Sequence, residues 1–122
     1  MVRNKMAKAE SVEAINRGTT DVELSGKNIS DKDVKAIAKA LKGCKNLRKI
    51  NLSSNDIGDE GVMAITRSVK HYKNLTSFHL YNNNIGHEGA MALAKALKQC
   101  KNLTDLSLQN NNIGHEGAMA LA

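Results

Sequence analysis

The side chains able to do chemistry are few: 4 histidines, 2 cysteines and 12 carboxylates in 122 residues. A metal site needs several of them at converging spacings, such as two histidines one helical turn apart. His87-Glu88 and His115-Glu116 come nearest, but they recur 115 − 87 = 28 residues apart, too far to close on one ion. Nucleophilic catalysis asks for a serine or cysteine with a base and an orienting acid, and phosphate chemistry asks for a glycine-rich loop. Neither pattern occurs, so no catalytic residue, no metal site and no cofactor is expected. Cys44 and Cys100 hold equivalent places two helices apart, about 16–20 Å. A disulfide needs Cα atoms within about 7 Å. They read as buried thiols of a protein from a reducing compartment.

What positions these residues is a repeat. Asn-Asn-Asn-Ile-Gly-His-Glu-Gly-Ala-Met-Ala-Leu-Ala fills residues 82–94 and again 110–122, an offset of 110 − 82 = 28. A period in this range means stacked units, none of which can bury its apolar side alone. The blocks run 19–46, 47–74, 75–102 and an incomplete 103–122. The first is diverged, and the other three open with apolar residues at strand spacing: Leu47, Ile50, Leu52 and Ile57, then Leu75, Phe78, Leu80 and Ile85, then Leu103, Leu106, Leu108 and Ile113. The second halves carry helical spacing, as in Val34, Ile37, Ala38 and Leu41. Ser30 with Asp33 has capping-box spacing, and Asp59-Glu60 and His87-Glu88 suit the positive end of a helix. Strands of about four or five residues and helices of about a dozen, joined by right-handed crossovers, predict a parallel inner sheet and outer helices. Strands about 4.8 Å apart and helices about 8–10 Å apart bend such a stack into an arc.

The pattern Leu-x-x-Leu-x-Leu-x-x-Asn-x-Ile resembles the leucine-rich repeat, and its length and full helix resemble the ribonuclease-inhibitor subtype, also seen in Ran GTPase-activating proteins and NOD-like receptors. The resemblance covers residues 19–122 and implies an α/β leucine-rich repeat solenoid: a right-handed β-α superhelix in a horseshoe arc. Ribonuclease inhibitor alternates two repeat types, one with cysteine at the ninth position. Here Asn55, Asn83 and Asn111 hold that position uniformly, so ribonuclease inhibition is not favoured. A structural asparagine ladder is expected instead, each amide serving backbone groups of adjacent blocks. Lys27 stands at that position in the first block, which reads as a modified entry repeat. Residues 1–18 fall outside the period; Met6, Ala9, Val12 and Ile15 with Gly18 predict a capping helix. Leu121 and Ala122 fall midway through a helix, as in a piece of a longer array. The edge formed by Leu103, Leu106, Leu108 and Ile113 calls for a cover, most simply a homodimer.

Net charge is +6 and the pI near 9.4. Lys35, Lys39, Lys42 and Lys45, then Lys70 and Lys73, then Lys95, Lys98 and Lys101 fall on outer helix faces and near helix C-termini, where solvated cations oppose the dipole. With no stacking platform or nucleic-acid motif, no specific nucleic acid is expected as partner. The apolar runs are too short to cross a bilayer, which points to no membrane and a cytoplasmic protein.

What is left is the inner face. Asp21, Glu23, Lys49, Asn51, Ser53, Ser77, His79, Tyr81, Asp105, Ser107 and Gln109 alternate with core positions and vary from block to block. Lys49, Asn51, Ser77, His79, Tyr81, Asp105, Ser107 and Gln109 are the candidate partner-binding residues, with His79 and Tyr81 as amphipathic anchors. The expected function is non-catalytic protein-protein recognition. The alternatives are a fragment of a GTPase-activating protein similar to the Ran GTPase activators, or a structural, self-associating solenoid.

Overall fold

The computed structural model describes residues 12–69 and 71–121. Four strands, β1 (Asp21–Glu23), β2 (Lys49–Asn51), β3 (Ser77–His79) and β4 (Asp105–Ser107), form one parallel sheet in chain order. The register follows the period: Val22 faces Ile50, Ile50 faces Phe78, and Phe78 faces Leu106. The outer layer is α1 (Asp31–Ala40), prolonged by a tight turn over Leu41–Gly43, then α2 (Asp59–Val69), α3 (His87–Leu97) and α4 (Gly114–Leu121). Each helix packs on the next.

Strands are 3 residues long, shorter than expected. Pairing continues one residue further, as Leu52 N–H donates to His79 O at 2.9 Å and Leu80 N–H to Ser107 O at 2.8 Å. The chain then turns through a left-handed residue at Gly26, Ser54, Asn82 and Asn110, with φ of 64°, 58°, 56° and 58°. That turn ends the strand. Glycine and asparagine take this conformation with little strain, and Ser54 is the member of the column least suited to it.

The turn delivers the next residue's amide into the layer between repeats. Asn55 Oδ1 accepts from the backbone N–H of Lys27 (3.0 Å) and Ile29 (2.8 Å), while Nδ2 donates to the carbonyls of Leu24 (3.0 Å) and Leu52 (2.9 Å). Asn83 takes the N–H of Ile57 at 3.0 Å and donates to Leu52 O and Leu80 O, both at 3.0 Å. Asn111 repeats this on Ile85 N–H (2.9 Å), Leu80 O (2.9 Å) and Leu108 O (3.1 Å).

Helix starts use two devices. Ser30 and Asp33 form the reciprocal capping box at α1, with Ser30 N–H donating to Asp33 Oδ2 at 2.9 Å. The next two helices are capped from the neighbouring repeat. Asp31 Oδ1 accepts the N–H of Gly58 at 2.7 Å, and Asp59 Oδ1 accepts those of Gly86 (2.7 Å) and Gly89 (2.9 Å). Asp59 therefore braces the helix after its own. A Cβ on Gly89 would lie 2.6 Å from that oxygen, so a larger residue there would push the carboxylate off the amides it holds. His87 holds the same place in the third repeat; beyond it Gly114 turns to φ 70°, where Gly86 sits at φ −98°.

Between the layers lies an aliphatic core. Leu52, Leu80, Ile57, Ile85 and Phe78 are fully buried. Leu108, the third member of the Leu52 and Leu80 row, is partly buried, as are Leu103 and Ile113, and Leu106 is 37% exposed. At the helix ends Cys44, Tyr72 and Cys100 form a buried column, and both thiols are free. Tyr72 Oη donates to Leu41 O at 2.9 Å and Cys44 Sγ to Asn16 O at 3.1 Å, so this column too reaches back one repeat. Burial pushes both thiols and the Tyr72 phenol above their ordinary values. Most of the expected 1–18 helix lies outside the described residues; Val12 and Glu13 are helical, Ala14 is already a turn, and Val12 and Ile15 pack against the core.

Replacing Asn83 with alanine strands buried backbone groups of two repeats. Asn83→Ala should lower the urea-unfolding free energy by about 1–3 kcal/mol, and Asp59→Ala by about 0.5–2 kcal/mol as a lost helix cap. A change below a few tenths at either site would show that water replaces the amide or carboxylate freely.

Candidate functional site

The sheet's inner surface is where exposed residues of different chemistry meet at fixed spacing. Asp21, Glu23, Lys49, Asp105 and Gln109 are exposed there, and Asn51, His79, Tyr81 and Ser107 are half-exposed. Two expected members behave differently. Ser53 is fully buried, its Oγ accepting the N–H of Tyr81 at 3.1 Å. Ser77 is 5% exposed beneath its neighbours. Both follow from size: a short hydroxyl among long side chains on a closely paired sheet is covered by them and turns to bond the adjacent strand.

Ser77, His79 and Asp105 converge across the β3–β4 pair. His79 Nε2 lies 3.0 Å from Asp105 Oδ2 and 3.0 Å from Ser77 Oγ, and Ser77 Oγ donates to Asp105 Oδ2 at 3.2 Å. The three residue types are those of a hydrolytic triad, but the wiring differs. A relay needs the acid on Nδ1 and the hydroxyl on Nε2. Here both meet the same nitrogen, and the hydroxyl is covered, so the arrangement is a hydrogen-bonded knot across two strands. The His79 hydrogen bond, aided by its charge, the Ser77 hydroxyl and nearby Lys49, holds the Asp105 carboxyl below its ordinary value against a smaller opposing effect of burial.

Tyr81 stands beside the knot, its ring 6.4 Å from that of His79 and tilted 49°. Aromatic pairs at this separation attract weakly and hold each other in place. One strand over, Asn51 Nδ2 donates to Glu23 Oε2 at 3.0 Å. The face thus has an acidic half around Glu23 and an aromatic half around His79 and Tyr81, with the Lys49 cation between them in the sheet.

The remaining expected positions are accounted for elsewhere. His87 and His115 are exposed at helix starts, and among the described residues no group of three His, Cys, Asp or Glu side chains is placed to hold a metal ion. Among them too, no helix is long and apolar enough to cross a membrane. Lys35, Lys39, Lys42, Lys45, Lys73, Lys95, Lys98 and Lys101 are exposed, and Lys70 lies outside the described residues. Sequence reasoning missed the inter-repeat work of Asp31 and Asp59. Their 28-residue spacing, together with the glycines at 58, 61, 86 and 89, was the signal available.

The Asp105 carboxyl should titrate below the roughly 3.9 of a free aspartate. Its folded value is lowered, so the pair's contribution to stability is complete above the unfolded value and is lost as pH falls through the folded one. Carboxyl carbon NMR measures this directly. A titration at or above about 3.9 would mean that the knot does not form in solution.

Comparison with known proteins gives the fold a place. The TMOD/LMOD leucine-rich domain family matches residues 4–121. No curated protein matches the chain. Among solved structures, actin-binding site 2 of leiomodin-1 superposes with a TM-score of 0.76 at 25% identity, over 93% of this chain and 68% of that one. The tropomodulin C-terminal domain from Caenorhabditis elegans superposes with a TM-score of 0.77 at 13% identity, over 95% and 74%, a likeness of fold. The chain belongs to the TMOD/LMOD leucine-rich domain family.

Proposed function

We propose that this domain is a non-catalytic protein-recognition module that holds its partner on the concave strand face, around His79 and Tyr81. Family membership across nearly the whole chain is the observation that carries the reading. The likeness to the leiomodin-1 actin-binding site supports an actin surface as the partner. Lys49, Asn51, Asp105, Ser107 and Gln109 would frame the contact, and Ser77 would act from below by fixing the His79 ring. A half-exposed, mutually braced histidine and tyrosine lose little side-chain freedom on binding, which is what an anchor requires.

The same reading takes residues 19–122 as the array and residues 1–18 as its cap. It assigns the array to the ribonuclease-inhibitor-like subtype, supported by outer helices of 10 and 11 residues on a uniform period. A cytoplasmic setting is supported by the two free, buried thiols. Recognition is preferred to the GTPase-activating and self-associating alternatives because family membership supports it directly.

Binding of labelled monomeric actin, followed by fluorescence anisotropy, tests the assignment. The His79→Ala, Tyr81→Ala double variant should raise Kd about tenfold or more, equivalent to about 1.4 kcal/mol. An unchanged Kd would move the partner off the concave face. No binding by the unaltered domain would remove actin as the partner.

A further inference from the structure

The convex side carries charge that recognition by the concave face does not use. Lys39, Arg67 and Lys95 recur at the repeat period along the outer helices, followed by Lys42 and Lys98, then by Lys45, Lys73 and Lys101 in the turns beyond. All are exposed. No Asp or Glu occurs within residues 34–55, 61–87 or 89–104, so the acids stand at helix starts and on strands. Each repeat is therefore polarised, with carboxylates at one end of the helix layer and only cations at the other. Among the described residues, Lys35 meets Glu60 at 3.7 Å, and no carboxylate lies within 4.0 Å of Lys39, Lys42, Arg67, Lys95 or Lys98.

Within this cationic band α1 and α2 leave a groove of about 400 Å³. Ala38 and Ala64 form its half-buried floor, with Tyr72 at one end; Lys39, Lys42 and Arg67 stand around it. The small floor residues leave room that larger side chains would fill. The equivalent groove between α2 and α3 is about as large, 510 Å³, and among the described residues its lining carries fewer cations, Arg67 and Lys95.

We propose that the α1–α2 groove is a docking site for an acidic amphipathic segment of a partner protein. Apolar side chains one helical turn apart would seat between Ala38 and Ala64, and flanking carboxylates would meet Lys39, Lys42 and Arg67. An amphipathic helix laid in a groove presents this combination. Charge complementarity selects an acidic occupant, and the apolar floor selects a peptide. Nucleic acid would find cations but a poor stacking surface, because Tyr72 is 3% exposed with its hydroxyl committed to Leu41 O, which leaves the exposed His71 ring as the one aromatic group within reach among the described lining residues. The site lies on the opposite layer from the sheet face, so the two can be tested apart.

The probe is a synthetic fluorescent helical peptide with leucines one turn apart flanked by glutamates. A lysine-for-glutamate version, an oligothymidylate and phosphatidylserine vesicles are the comparisons. The acidic peptide should bind the full chain and shift the backbone NMR signals of Ala38 and Ala64. The Lys39→Glu, Arg67→Glu variant should raise its Kd about tenfold or more. Ala64→Leu, which fills the floor without changing charge, should do the same, and Ala38→Met is the second filling variant should Ala64→Leu melt early by circular dichroism. His79→Ala with Tyr81→Ala should leave this Kd unchanged. Equal binding of oligothymidylate or vesicles, or binding lost on charge reversal but indifferent to both filling variants, would overturn the site and leave a diffuse polyanion-attracting surface.

Discussion

A side-chain amide that satisfies the backbone of two consecutive repeats at once is what lets strands this short stack. Three-residue strands cannot carry a sheet by their ladder alone, and the left-handed turn after each leaves backbone groups facing the core. Asn55, Asn83 and Asn111 answer those groups, accepting from the repeat before and donating to both repeats. An unsatisfied buried group costs about 1–3 kcal/mol, so without the ladder each interface would lose much of what its aliphatic contacts supply. No buried side-chain nitrogen or oxygen lacks a partner among the described residues. A stack with one aromatic residue in its deepest core, Phe78, relies on that completeness.

The periodicity made the architecture legible. Apolar positions at strand spacing located β2, β3 and β4 and those at helical spacing α1, α2 and α3, while the period placed β1 and α4, because burial on one face leaves a pattern that no local conflict disturbs. The capping box at Ser30 was equally plain, since its two partners are three residues apart. The Asp59 carboxylate sits in the first turn of α2 as expected, but its hold on the following helix was hidden for the opposite reason. Its partners Gly86 and Gly89 lie 27 and 30 residues away, and only the stacked geometry brings them together. Strand length was overestimated because an apolar leucine continues the alternation while the backbone has begun to turn.

The inner face was legible in outline. Alternation along a strand says which residues point away from the helices, and His79, Tyr81, Asp105 and Gln109 are accessible as that predicts. It does not say which of them are covered by longer neighbours, and so Ser53 and Ser77 were taken for surface. Nor does it reveal that Ser77, His79 and Asp105 share one hydrogen-bonded knot, since this requires the 28-residue register between β3 and β4. The convex band shows the converse. Its lysines looked like ordinary solvated positions one helix at a time, and the distance of Lys39, Lys42, Lys95 and Lys98 from any carboxylate among the described residues becomes visible once the helices lie side by side.

The exchange of aspartate for histidine at position 87 gives the stack a direction. Between the first and second repeats, and again between the second and third, a carboxylate holds the next helix by its leading amides. Beyond His87 that clasp is missing, and the glycine it would have held has rotated into a left-handed conformation. A one-dimensional chain of units opens first where neighbours are coupled least. The contact between the third and fourth repeats should therefore part more readily than the two before it, and amide exchange would read this out as faster exchange past residue 103 than around Phe78.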